Sequence, residues 1–341
     1  MKIQCPLNQQ TLERIGDYVQ AGADEFYFGY RNELVREGDC LNRRFGELVN
    51  FDTLDHAKLV VEQVIRTHRK VFVVFNELSY PEHWHKPLIR EMQELCACGA
   101  SGVIVSDINL IMAVRDAKPT LFLALSSTAH VLNARAAAFY GRFGINRLVL
   151  PRQLAPHEIK ALIQAGDTLE YELILMNEEC PNLEGLCSFA HIRGENSPNI
   201  CRQAILYNEL SPGAGYVVDA CGACALFDLK EFSGLVLKIA GRGMGADWIL
   251  NDVRFLKSAV SMLGDHESAQ GFALACAQEH KRIYRDACRR KCYYHTDYLP
   301  PRDITGGHTP SDISQGVVKY GAATPHPELA QHSVQGRVEP E

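Results

Sequence analysis

Short, uninterrupted apolar runs recur along the first two-thirds of the chain. Each is followed by a longer stretch in which apolar positions return every third or fourth residue. The runs VFVVF, GVIVSD and LFLAL carry no polar alternation, which is how strands read when helices cover both faces of a parallel sheet. Strands are expected at Lys2–Pro6, Glu25–Tyr30, Lys70–Asn76, Gly102–Asp107, Leu121–Ser127, Arg147–Pro151, Leu169–Met176 and Leu235–Ala240. Helices are expected at Gln10–Ala21, Asp55–His68, His85–Cys98, Asn133–Phe143, Pro156–Ala165 and Ala246–Leu263. The strand–helix unit returns about every 25 to 30 residues, the length of a βα pair.

Eight strands with helices between them predict a (β/α)8 barrel of the TIM type, with an open doubly wound sheet as the alternative. The barrel covers residues 1–263 and includes a cysteine-rich insertion after strand seven, at 178–225. A C-terminal extension follows, with a helix and a CRRKC segment at 264–295 and a Pro-, Gly- and His-rich tail at 296–341. In a barrel of this kind chemistry sits at the C-terminal ends of the strands. The polar residues there are Tyr30, Asn76, Asp107, Ser127, Thr128, Arg152, Asn177 and Arg242.

Composition narrows the class. With 341 residues, 46% of them apolar, and no membrane-length apolar run or signal peptide, a cytoplasmic protein is expected. A net charge of −6 argues against a broad nucleic-acid footprint, while leaving room for a local basic groove.

The twelve cysteines change the picture most. Cys180-x6-Cys187-x13-Cys201, Cys221-x2-Cys224 and Cys288-x3-Cys292 fall in segments without helical or strand period. Grouped thiols on irregular backbone suit an iron–sulfur cluster or structural zinc better than a packed core. Cys40, in the loop after strand two, makes eight candidates, enough for two quartets. One partition joins Cys180, Cys187 and Cys201 with Cys40 or with one thiol of the CGAC segment. The remaining pairs, Cys221/Cys224 and Cys288/Cys292, would then hold a second cluster or zinc. Cys5, Cys96, Cys98 and Cys276 lie in strand or helix patterns and read as unrelated packing thiols.

Several segments, taken in order, resemble peptidase family U32, the collagenase-like proteases. They are NQQTLERIGDYVQAGADEFYFGY, GASGVIVSDINLI, LALSSTAHVLN, AAAFYGRFGINRLVLPRQL and LVLKIAGR. The spacing Glu172-x7-Cys180-x6-Cys187 is that of the family signature E-x-F-x-H-G-x-x-C-x6-C. Two departures stand out: Met176-Asn177 replaces His-Gly, and Ala240 replaces the usual Glu of the strand-eight motif. The acid–base histidine of the signature is therefore missing.

The resemblance implies a TIM-like barrel and, through the thiols, kinship with the family's oxygen-independent hydroxylation factors. Those carry a 4Fe-4S cluster and act in ubiquinone synthesis or on RNA. Cys40-Leu41-Asn42-Arg43-Arg44 is similar to a cluster segment of one subgroup, and GENSPNICRQ, containing Cys201, to that of another. Arg152, Lys238 and Arg242, at the ends of strands six and eight, are candidates to hold an anionic substrate, and Glu172 to donate a proton. Barrel-mouth salt bridges with Asp107, Glu172 or Asp228 are the alternative for the three cations. Three functions stay open: an iron–sulfur redox enzyme acting on a small molecule or RNA, a peptidase acting on a peptide, and a non-catalytic partner of a second U32-family subunit.

Overall fold

The computed structural model describes residues 1–32, 41–42, 49–117, 121–166, 169–178, 180, 183–186, 221–288, 292–294 and 298. Eight parallel strands close into a barrel in chain order. They are β1 (Lys2–Pro6), β2 (Glu25–Phe28), β3 (Lys70–Phe75), β4 (Gly102–Val105), β5 (Leu123–Leu125), β6 (Arg147–Leu150), β7 (Glu170–Met176) and β8 (Val236–Ile239). Closure is made by β1 against β8, with Lys2 opposite Val236 and Gln4 opposite Lys238. The open doubly wound sheet is thereby excluded.

The helices are α1 (Ile15–Ala21), α2 (Leu54–Ile65), α3 (Glu82–Ala97), α4 (Ile108–Ala117), α5 (Ala134–Gly141), α6 (Pro156–Ala165), α7 (Ala246–Met262) and α8 (Ala269–Tyr284). Local chemistry sets where several of them start. The Thr53, Asn133 and Ser268 side chains accept backbone N–H bonds at the heads of α2, α5 and α8. Pro156 opens α6, where the Glu158 carboxylate accepts the Ala155 N–H at 2.7 Å. Gly22 ends α1 at φ +116°, a backbone state few other residues adopt.

Most strands are one to three residues shorter than the apolar runs suggest. Past the observed ends, the Asn76 side chain donates to that of Ser126. Among the described residues no helix lies between β7 and β8; a 3-10 turn at Ala223–Leu226 leads into β8. Cys40, Cys187, Cys201 and the tail from Leu299 onward lie outside the described residues.

Two cores result. Outward residues such as Cys5, Phe26, Phe28, Val73 and Leu148 pack beneath the helices. Inside the barrel, Tyr27, Phe72, Val74, Ile104 and Ala124 form an apolar wall on one side. Charged residues pack against it: Glu25, Arg147 and Glu172 are essentially inaccessible, with Lys238 8% exposed. Among the described residues no helix is long and apolar enough to cross a membrane.

Candidate active site at the barrel mouth

Two expected site residues, Glu172 and Lys238, lie in the charged interior. Arg147 Nη1 lies 2.7 Å from Glu25 and 3.0 Å from Glu172, and its Nη2 lies 2.6 Å from Glu170. Its guanidinium also stacks over Phe72, 4.6 Å from the ring centroid. Lys238 Nζ lies 2.7 Å from Glu172 and donates to Gln4 Oε1 at 2.5 Å, over the Tyr27 ring. Of the alternatives weighed for Lys238, the pairing with Glu172 is the one present. It is made inside the barrel and not at the rim, because the side chain points inward from within β8.

Burial opposes charge on Glu172, but Lys238 and Arg147 outweigh it and hold the carboxyl below its ordinary value. Glu172 is thus an ionised acceptor, which does not suit a proton donor. Burial pulls the Lys238 amine down, against the opposing pull of Glu172. Burial also disfavours the Arg147 charge, and Glu172, Glu25 and Glu170 more than offset it.

Arg152 and Arg242 do reach the mouth. Arg242 donates from Nη1 to Asn50 Oδ1 at 3.0 Å and from Nη2 to Asn42 Oδ1 at 2.8 Å. Gly29 lies against this group: a Cβ there would collide with the guanidinium. Arg152, just past β6, forms a buried ion pair with Glu184 and lies under the Tyr293 ring. Glu184 belongs to the loop that carries Cys180-x6-Cys187, so that loop is fastened to the mouth.

Gly185 fastens it again, at φ +87°: a Cβ there would stand 2.5 Å from the Thr128 oxygen and 3.0 Å from His130 Nε2. Three buried polar atoms here, Arg152 Nε, Glu184 Oε2 and His130 Nε2, have no hydrogen-bond partner among the described residues. Unpaired polar atoms below a barrel mouth are what a polar ligand or water would satisfy. Burial lowers the His130 pKa, against an opposing pull from Glu184, so the ring is neutral. His130 itself closes the 3-10 turn Ser127–Ala129 in a left-handed conformation.

A hydroxyl chain lines the adjoining floor. Asn76 Nδ2 donates to Ser126 Oγ at 3.1 Å, Thr128 Oγ1 donates to the same oxygen at 3.1 Å, and Ser106 Oγ lies 2.6 Å from Thr128 Oγ1. Asp107 accepts from the Tyr80 and Asn109 N–H groups, both at 2.9 Å, and so serves the loop and the head of α4. His130 is one histidine at the mouth. His85 joins it, with Nε2 3.9 Å from Asp107 Oδ2. Its signal was hidden because it falls inside a helical pattern.

Where the family signature has Gly, Asn177 takes a left-handed backbone, φ +64°. Its amide donates to Asp252 at 2.6 Å and accepts from Trp248 Nε1 at 3.2 Å, so it is a structural anchor.

The described thiols divide in space. Cys180 is half-buried just past β7. Cys221 pairs through its backbone with Met176 at the end of β7 and with Cys292. Cys224 is in hydrogen-bonding contact with Cys292 and with Cys276 of α8, and Cys288 lies within electrostatic reach of both Cys221 and Cys224. Cys276 reads as an unrelated packing thiol in the sequence, yet it borders this group. Burial pushes the Cys221 thiol well up, and contact with Cys276 raises that of Cys224. Cys5 is a buried packing thiol, as expected. Among the described residues no three Cys, His, Asp or Glu side chains are already drawn together to enclose a metal ion.

Barrel topology, a polar mouth and thiol-bearing loops together define an α/β barrel protein with polar residues gathered at the C-terminal ends of its strands. The chain belongs to peptidase family U32, whose family model matches residues 10–300. It is similar to tRNA hydroxylation protein P of Escherichia coli (strain K12), 25% identical over 189 residues, 55% of this chain and 39% of that protein. Against tRNA hydroxylation protein P1 of Bacillus subtilis (strain 168) the identity is 24% over 226 residues, 65% of this chain and 49% of that one. It is 28% identical over 152 residues to the 23S rRNA 5-hydroxycytidine C2501 synthase of Escherichia coli (strain K12), 43% of this chain and 22% of the synthase. The chain thus spans half or less of the length of these relatives. Among solved structures the U32 peptidase Mk0906 aligns with a TM-score of 0.46 at 14% identity, over 70% of this chain and 92% of that one.

Proposed function

We propose that this protein is an iron–sulfur member of the U32 family that acts in oxygen-independent hydroxylation of a nucleobase in RNA. Cys180, Cys187 and Cys201 would hold a 4Fe-4S cluster, with Cys40 as the fourth ligand. The observation that carries the reading is the seating of the Cys180-x6-Cys187 loop. Glu184 ties it to Arg152, and Gly185 rests on Thr128 and His130, so the described part of the loop, residues 183–186, is held at the barrel mouth.

Soft thiolate donors fit such a cluster, and when bound it would supply electron transfer or an iron site open to substrate. The chain's own residues would do the rest. Arg152 Nε and His130 Nε2 are directional groups still to be satisfied, suited to the polar edge of a base. The Tyr293 ring beside Arg152 adds an apolar face. The relatives named for tRNA and rRNA hydroxylation favour RNA over a small molecule or peptide. The acidic net charge fits recognition of one base better than of a long backbone.

The reading is tested by anaerobic purification with iron, sulfide and EPR measurement. Mass spectrometry of nucleosides from cells with and without the gene completes the test. About four irons per chain and a nucleoside that loses one oxygen in the deletion strain are expected. A chain that takes up no iron on anaerobic reconstitution would overturn it.

A further inference from the structure

Three neighbouring strands end alike. Asn76, Ser106 and Ser126 are each the first residue beyond their strand, β3, β4 and β5 in turn. Each stands two positions after a residue of the apolar wall inside the barrel: Val74, Ile104 and Ala124. Side chains alternate along a strand, so these three form one layer on the C-terminal side of that wall. Their hydrogen bonds show that they meet there. Asn76 reaches Ser126 at 3.1 Å, and Thr128 Oγ1 lies 3.1 Å from Ser126 Oγ and 2.6 Å from Ser106 Oγ. The Ser126 N–H donates to the Val105 oxygen at 2.8 Å, which holds its backbone in sheet register.

The direction of this chain follows from its hydrogens. A hydroxyl has one hydrogen to give and two lone pairs with which to accept. Ser126 Oγ accepts from Asn76 Nδ2 and from Thr128 Oγ1, and the Thr128 N–H adds a longer contact at 3.4 Å. Thr128 thus uses its hydrogen on Ser126, so the hydrogen between Ser106 and Thr128 comes from Ser106. Ser126 keeps its own hydrogen, with no acceptor for it among the described residues. Each bond polarises the next, which makes the terminal hydroxyl a stronger donor than a lone serine. Ser106 and Ser126 are both buried, where a donor left unmatched is unfavourable.

We infer, resting on the RNA-base reading proposed above, that Ser126 gives its hydrogen to a carbonyl oxygen of the nucleobase entering the barrel mouth. Three observations choose a carbonyl. The chain is built from an amide and hydroxyls with no cation among them, which suits a neutral acceptor over a phosphate. Asp107, the buried residue next after Ser106, is an acidic neighbour that disfavours an anion further. On β8 the first residue beyond the strand is Ala240, packed with Val149 and Ile174, a small apolar surface against which a flat ring can lie.

Specificity follows from the same count. Uracil, cytosine and guanine carry a carbonyl oxygen and adenine does not. Adenine would leave the Ser126 hydrogen unmatched, and a site built around one hydrogen bond rejects a ligand that cannot complete it. The middle of the chain is covered by the loop at 183–186: a Cβ on Gly185 would stand 2.5 Å from the Thr128 oxygen.

The test titrates the full chain with uridine, cytidine, guanosine and adenosine, with affinity read by ligand-observed NMR. At least one of the first three should bind, and more tightly than adenosine. Ser126→Ala should weaken that nucleoside about tenfold and leave adenosine unchanged. Ser106→Ala, which keeps the terminal donor and removes only its polarisation, should weaken it about twofold. Sulfur in place of the carbonyl oxygen (2-thiouridine, 4-thiouridine, 2-thiocytidine or 6-thioguanosine) should weaken binding to the wild type by about the Ser126→Ala factor, with no further loss in the variant. The thio compounds decide the matter on the wild type alone if Ser126→Ala does not fold. Binding of none of the four nucleosides would overturn the inference, as would equal binding of the oxygen and sulfur compounds. A larger loss in Ser106→Ala than in Ser126→Ala would also overturn it, by reversing the chain. Unchanged nucleosides in cells lacking the gene, with the tenfold loss intact, remove the hydroxylation reading and leave the carbonyl site standing.

Discussion

The Arg152 guanidinium lies 5.2 Å from the centre of the Tyr293 ring, so a cation just past β6 is roofed by an aromatic residue from the C-terminal segment. The same tyrosine donates its hydroxyl hydrogen to the Asn177 oxygen past β7. One side chain therefore couples two neighbouring strand ends. Tyr293→Phe should cost about 1 kcal/mol, the net value of one hydrogen bond. Tyr293→Ala should cost about 3 kcal/mol or more, because the buried ring is also lost. Urea unfolding of the three proteins separates the two contributions.

Glu172→Gln should be the most damaging substitution in the barrel interior. It leaves Arg147 and Lys238 sharing fewer negative partners in a closed space, a loss of about 3 to 5 kcal/mol for a broken buried pair. The pH dependence follows from its depressed folded pKa. Its stabilising effect is complete above the ordinary value of 4.5 and is lost as pH falls through the lower folded value. The wild type should therefore show a falling unfolding midpoint on the acid side, and Glu172→Gln a flatter acid limb. An unchanged limb in the variant would remove Glu172 as its source.

Cys180→Ser should abolish most of the iron, leaving less than about one per chain where a full cluster has four. Cys98→Ser, at the end of α3, should leave iron unchanged. Iron and sulfide analysis of both variants, with circular dichroism to confirm folding, distinguishes a ligand from a generally fragile thiol.

Gly29→Ala should disturb the mouth through Arg242. The added methyl would run into the Arg242 guanidinium and Asn50 Oδ1, both well inside contact distance. A cost of about 1 to 3 kcal/mol is expected for forcing atoms into a filled site. Arg242→Ala in the same background should recover part of it. Thermal unfolding of the single and double variants measures that coupling.

The barrel was legible because its strands are buried on both faces, and runs such as VFVVF have no other economical home. The interior ion network was not. Arg147 and Glu25 open their strands and read as ordinary charged boundaries; only closure of the sheet turns them toward each other. The same closure took Lys238 from the expected rim to the inside. The helix α4, INLIMAVRDA, escaped notice because its apolar run masks the helical period. The grouping of Cys221 and Cys224 with Cys288 and Cys292 was visible in spacing, but the part of Cys276 was not, since a buried cysteine on a helix looks like packing.

Pairing of β1 with β8 also dictates the timing of folding on the ribosome. The strand at Lys2–Pro6 must wait for Val236–Ile239 before its free edge is covered. At ordinary synthesis rates that interval is roughly 10 to 50 s. Throughout it, the nascent chain presents an open, apolar sheet edge of the kind that recruits other chains. Demand for chaperones during translation should therefore peak before Ile239 emerges, and the segment that roofs the mouth arrives only after that hazard has passed.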